Sequence, residues 1–120
     1  LCLLGFKTRG QAVAAELFRN QKIDVYTEDG SMGMMGLVSE PLPEILAEMQ
    51  TGEIFACGPD AMLAALSVMA GDHGVNAQVS MAAHMACGVG ACQGCVIRTV
   101  DGYRRVCSEG PVFAAGEIAW

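Results

Sequence analysis

The sequence predicts an α/β fold in two parts, a parallel-sheet domain over residues 1–80 and a small β-rich domain over residues 81–120. Three observations carry this expectation. Strand and helix patterns alternate up to residue 80, which is how parallel strands are connected. At residues 80–83 the alternation gives way to a cysteine-rich loop. Beyond the loop, runs at 96–100 and 103–106 flank Asp101-Gly102, a two-residue hairpin signal.

Residues 1–6 form a buried strand pattern from the outset. Residues 11–19 are good helix formers with Val13, Leu17 and Phe18 along one side, and 22–27 read as a second strand. A βαβ unit that opens in mid-sheet implies that an N-terminal part is missing or lies on another chain. Gly30, Gly33 and Gly36 follow the strand's carboxyl end, where open α/β sheets bind ligands. Their spacing is G-x-x-G-x-x-G, not the dinucleotide fingerprint G-x-G-x-x-G. Both a flexible glycine turn and a cofactor loop fit.

Pro41 and Pro43 suit the first turn of a helix over 45–49, which Gly52 ends. Residues 53–57 form a short strand broken by Gly58-Pro59, and a helix runs from Asp60 to Asp72 with Met62, Leu63, Leu66, Met69 and Ala70 as its buried stripe. Proline suits its first position, and the helix N-terminus directs free N–H groups toward the sheet's ligand edge. Cys57 fits either a small buried hydrophobe or a residue placed where a nicotinamide would meet a flavin. His73 reads as a helix C-terminal residue before Gly74. Residues 75–80 are expected to be the last strand of the sheet.

Cys87, Cys92, Cys95 and Cys107 have the spacing C-x4-C-x2-C…C of plant-type [2Fe–2S] sites. Gly88, Gly90 and Gly94 let a loop wrap closely, with backbone N–H groups facing sulfur. A thioredoxin-type dithiol would open a helix, whereas Cys92-Gln93-Gly94-Cys95 runs into the β-branched segment 96–100. A structural zinc site usually has two C-x2-4-C knuckles, and this chain has one such pair with a lone cysteine on each side. Strict pairing about Asp101-Gly102 sets Cys107 opposite Val96, so a shared site requires the ladder to bulge or break there. Arg98, Arg104 and Arg105 read as a solvated or partner-facing edge. A cation close to a cluster would raise its reduction potential.

Apolar residues make up 52% and charged ones 17%, with eight methionines, which suits a buried piece of an assembly. The net charge of −6 argues against nucleic acid as a partner. No apolar run approaches the roughly 18 residues of a membrane span. Six cysteines would suggest disulfides in a secreted chain, but no signal peptide is present and four of them have metal-type spacing, which points to the reducing cytoplasm. No acid–base pair or triad stands out, so no catalytic side chain is assigned and the chemistry is expected from cofactors.

Residues 85–95, then Arg105-Val106-Cys107, Gly110-Pro111-Val112-Phe113 and Trp120, resemble the electron-transfer subunit of dihydroorotate dehydrogenase B. Asp29-Gly30-Ser31 with Gly33 and Gly36, and Ala56-Cys57-Gly58-Pro59 with Met62-Leu63, resemble the same family and the wider ferredoxin-reductase-like NAD domain. Ala82-Ala83-His84 departs from it, since the family usually carries charged residues there. The resemblance covers essentially the whole chain. It implies a flavin-binding β-barrel, a ferredoxin-reductase-like NAD-binding domain and a [2Fe–2S] domain. The barrel, with the motifs that hold most of the FAD, is outside this chain, which resembles a C-terminal half expected to be inactive alone.

The resemblance places cluster ligands at Cys87, Cys92, Cys95 and Cys107, and NAD contacts at Gly30, Ser31, Cys57, Gly58 and Pro59. It further implies a catalytic FMN subunit as partner in a heterotetramer that serves pyrimidine biosynthesis. Electrons from dihydroorotate would pass through the cluster to FAD and leave on NAD⁺, because only the flavin handles both single electrons and hydride. The rival families are NADH-dependent ferredoxin:NADP⁺ oxidoreductase and sulfide dehydrogenase subunits, which usually have an acidic residue where Cys87 stands. A rival of another class is a zinc-stabilised binding module.

Overall fold

In the computed structural model, which describes residues 1–18, 20–49 and 51–120, the chain divides into two compact units, Leu1–Pro43 and Glu44–Trp120. In the first, β1 (Cys2–Phe6) and β2 (Ile23–Thr27) pair in parallel, with Leu4 beside Val25. A 3₁₀ helix, Arg9–Phe18, forms the crossover. Among its described side chains Ala12 and Ala15 are buried, while Val13 and Leu17, expected to face inward with Phe18, are 81% and 84% exposed and Phe18 is 36% exposed. The segment is two short helical pieces joined by a kink at Ala12, so no single helical face runs along it. Arg19, the end of the expected helix, lies outside the described residues. Two-residue β3 (Met34–Met35) extends the sheet in parallel beside β2. Fully buried Thr27 pins the intervening loop: its hydroxyl donates to the Met32 carbonyl at 2.7 Å and accepts the Met32 N–H at 3.1 Å.

The helix α1 (Leu42–Glu48) crosses the division between the units. In the second unit, β4 (Glu53–Cys57), α2 (Asp60–Asp72) and β5 (Asn76–Ser80) follow, with β4 and β5 parallel. Strong local punctuation sets these limits. Pro59 is extended and stands just before the helix rather than in its first turn, its carbonyl accepting the N–H groups of Met62 and Leu63 at 2.9 and 3.1 Å. At the other end Gly74 turns left-handed (φ +66°) and the Val75 N–H reaches the Ala70 carbonyl at 2.9 Å, a Schellman closure. Leu63, Leu66 and Ala70 are the buried stripe of α2, and Met62 and Met69 are only half-buried.

The C-terminal part differs from expectation in two ways. First, β6 (Val96–Thr99) and β7 (Gly102–Arg105) pair with Val96 opposite Arg105 and Thr99 opposite Gly102. The turn residues are therefore Val100 and Asp101, not Asp101 and Gly102. An Asp-Gly turn of the expected type needs positive φ at both residues, and here Gly102 has φ +127° while Asp101 does not. The tail fastens this register: the Val100 N–H donates to Glu117 at 2.9 Å and the Ala119 N–H to Arg98 at 3.1 Å. At Arg105 the ladder ends and a single helical turn, α3 (Val106–Glu109), takes over. Second, β5 is not the last strand of its sheet. β8 (Val112–Ala114) adds to it in antiparallel fashion, with Phe113 opposite Val79.

This addition has a packing cause. Leu63 and Val79 are buried in one cluster with Met81, Cys95, Val106, Phe113, Ala115 and Ile118. Phe113 can reach that core only if its strand lies against β5. Residues on both sides of 80–83 thus share a core, and the boundary expected there lies inside the second unit.

Candidate metal centre

Cys87 and Cys92 lie in an exposed loop that includes Gly88 (φ +69°), Gly90 (φ +79°) and Gln93 (φ +56°) in the left-handed region. Gln93 is a position that no sequence signal marked, since only glycines were expected to bend there. Cys95 lies at the loop's end, 3% exposed and part of the core. Cys107 is half-buried in α3, carried back to Cys95 as the ladder breaks. The Val106 N–H donates to the Cys95 carbonyl at 3.1 Å and the Cys107 N–H to Cys95 Sγ at 3.4 Å.

Backbone N–H groups are aimed at sulfur throughout. Cys92 donates to Cys87 Sγ and Gly94 to Cys92 Sγ, each at 3.4 Å. These donors favour thiolate, the form that binds metal. The Cys87 thiol is brought down to about 6, first by the Cys92 N–H and then by that of Val89. Cys95 is lowered, chiefly by the Cys107 N–H. Cys107 is raised, chiefly because its thiol hydrogen-bonds the Cys95 sulfur.

Among the described residues, no three His, Cys, Asp or Glu side chains converge as they would on a single ion. The backbone instead links the cysteines in twos, the Cys92 N–H donating to Cys87 Sγ and the Cys107 N–H to Cys95 Sγ. Four soft donors linked as two pairs, with N–H groups pointed at sulfur, suit a group with two irons, one pair to each.

Two further side chains frame the site. Arg105 Nη1 donates to the Gly90 carbonyl at 3.2 Å, and its backbone N–H and Nε both donate to Glu109 Oε2 at 2.8 Å. The Arg–Glu spacing of four residues across Cys107 was the sequence signal for this pair. His84, beside the loop, is exposed.

The expected nucleotide contacts fall in both units. In the first, Asp29 accepts the Ser31 N–H at 3.0 Å and the Ser31 hydroxyl at 2.6 Å, and Ser31 Oγ accepts the Arg9 N–H at 2.7 Å. The Ser31 hydroxyl, then its N–H, holds the Asp29 carboxyl below its ordinary 3.8. Gly30, Gly33 and Gly36 all have positive φ. A Cβ at Gly33 would collide with the Val25 carbonyl oxygen, and one at Gly36 with the Glu40 carboxylate. In the second unit, Cys57, Gly58 and Pro59 form the turn from β4 into α2. Cys57 is exposed, which overturns its reading as a buried hydrophobe. Among the described residues no helix is long and apolar enough to cross a membrane.

Residues 82–119 match the family described as the iron-sulfur cluster binding domain of dihydroorotate dehydrogenase B. Over 96% of its length the chain is 38% identical to the electron transfer subunit of dihydroorotate dehydrogenase B (NAD(+)) from Caldanaerobacter subterraneus, covering 47% of that protein. Over 81% of its length it is 40% identical to the subunit of the same name from Clostridium perfringens, covering 38% of it. The chain thus spans about half the length, or less, of these curated relatives. It also superimposes, with a TM-score of 0.83 at 27% identity, on a solved structure of an NADH-dependent reduced ferredoxin-NADP oxidoreductase. That match covers 98% of this chain and 43% of the other. Residues 82–119 are thus similar to the iron–sulfur cluster binding domain family of dihydroorotate dehydrogenase B, and along nearly its whole length the chain is similar to part of the electron transfer subunits of that name.

Proposed function

We propose that Cys87, Cys92, Cys95 and Cys107 hold a [2Fe–2S] cluster, and that the chain is the C-terminal half of an electron-transfer subunit linking dihydroorotate oxidation to NAD⁺. The observation that carries this reading is the pairing of four thiols under backbone N–H donors, inside the segment matched to the iron–sulfur family. Such a cluster supplies one-electron transfer, and its potential depends on hydrogen bonds to sulfur and on burial. The residues' part is to favour the thiolate at Cys87 and Cys95, to hold the pairs in register, and to bury Cys95 away from water.

In this reading residues 1–80 serve the nucleotide and residues 81–120 the cluster. Gly30 and Ser31 in the first unit, and the Cys57-Gly58-Pro59 turn in the second, are each expected to contact NAD, and the N-terminus of α2 beside that turn suits its pyrophosphate. Cys57 shapes the nicotinamide's place and is not a nucleophile. FAD is held mostly by the preceding half of the whole subunit. The partner is a catalytic FMN subunit in a cytoplasmic heterotetramer. The solved oxidoreductase supports the same fold, but identity to the dihydroorotate dehydrogenase subunits is higher, 38% against 27%.

The test is anaerobic reconstitution of the chain with iron and sulfide. The reading expects a brown protein that bleaches with dithionite and then shows an unpaired-electron resonance, and amide shifts at Gly30, Ser31, Cys57 and Gly58 on adding NAD⁺. A colourless zinc protein would contradict the cluster, and silent amides would contradict the nucleotide site. With the flavin-binding half and the FMN subunit supplied, dihydroorotate alone should bleach the cluster.

A further inference from the structure

We propose that Arg105 is a positioning residue for the cluster. It ties the cysteine loop to the turn that carries Cys107 and, with Glu109, sets the cluster's reduction potential. The inference rests on the cluster reading above and adds a role to residues outside the ligand set.

The geometry is a three-point anchorage. Two donors of Arg105, its backbone N–H and Nε, meet one carboxylate oxygen of Glu109 at 2.8 Å, which holds one edge of the guanidinium. Nη1 then donates to the Gly90 carbonyl at 3.2 Å, midway between Cys87 and Cys92. The loop and α3 meet closely there, since a Cβ at Gly90 would lie 2.8 Å from Ser108 Oγ. Arg105 thus bonds the loop bearing the first pair to the turn bearing the fourth thiol, and Cys107 and Cys95 lie within reach of its charge. Arg104 pairs elsewhere, with Glu117 at 3.7 Å.

Reduction adds one negative charge to the cluster. A fixed cation beside it favours that step and a carboxylate opposes it, so the pair holds a balance. Both side chains are partly exposed, so water attenuates each contribution without changing its sign.

The experiment loads the full chain anaerobically and titrates its potential with redox dyes. Arg105→Gln should shift the potential negative, Glu109→Gln should shift it positive, and Arg104→Gln should shift it less than Arg105→Gln. Arg105→Lys keeps the charge but loses the planar fork, so the potential should stay near wild type while chelators strip iron several-fold faster. In the metal-free chain, the amides of residues 90–92 should exchange faster in Arg105→Gln and in Arg105→Lys. If Arg105→Gln fails to load, Glu109→Gln and Arg105→Lys decide the matter by the same readouts. A wild-type chain that takes up zinc or no metal defeats the cluster reading and this inference with it. A loaded wild type with Arg105→Gln and Glu109→Gln both at its own potential, or both shifted the same way, overturns this inference alone.

Discussion

In the loop at residues 28–36, side chains and backbone engage one another. Asp29 takes up both donors of Ser31, Thr27 closes on Met32 from both directions, and Gly33 leaves room for the Val25 carbonyl. In the loop at residues 85–95, backbone donors point at sulfur, and the left-handed Gly88 has nothing within 4 Å of where a Cβ would stand. Both loops are glycine-rich and both bend through positive φ. The glycines of the first answer to their own chain, whereas the second is shaped around its thiols. Glycine spacing alone therefore does not distinguish a loop braced by its own side chains from one shaped around thiols; the direction of the donors does.

The two loops also differ in their footing, and this gives the largest expected effect. Cys95 shares a core with Leu63, which lies far away in sequence. Leu63→Ala should cost about 3 kcal/mol in urea unfolding, and iron should leave the second unit more readily although no ligand has changed. Next, Gly33→Ala should cost about 3 kcal/mol, because positive φ and a backbone collision act together. Gly88→Ala has nearly the same φ with open space and should cost only about 1 kcal/mol. Equal losses in the two alanine variants would erase the contrast between the loops.

The smallest effect concerns Asp29. Its carboxyl is held below 3.8 in the folded chain by Ser31, so its stabilising contribution is present above that value and is lost as pH falls through the folded pKa. Ser31→Ala should move the Asp29 titration, followed by carboxyl NMR, up toward 3.8 and flatten the acid limb of the stability curve. An unchanged Asp29 titration would show that the first loop does not depend on its own side chains.

Much of this architecture was legible where residues carry strong local rules. The limits of β4, α2 and β5 follow from Gly58-Pro59 and from His73-Gly74, which end elements whatever surrounds them. The cysteine spacing was legible because thiols at those intervals have few other uses. The hairpin register was not, because the tail from Glu117 to Ala119 fastens Val100 and Arg98. That contact comes from residues distant in sequence, and it overrides the Asp-Gly preference. The addition of β8 to β5 depends on Phe113 reaching a shared core, another long-range cause. Val13 and Leu17 misled because the segment kinks at Ala12 and does not run as one helix. Arg105 was visible as a charge, but its partner Gly90 belongs to a different loop.

The most direct test of the central claim is metal analysis across all six cysteines, each changed to serine, after anaerobic reconstitution. Cys2→Ser and Cys57→Ser should retain about two irons and two sulfides per chain, as expected of a [2Fe–2S] site, while the variants at Cys87, Cys92, Cys95 and Cys107 should lose them. Zinc in place of iron, or equal retention in a variant of the four, would contradict the account.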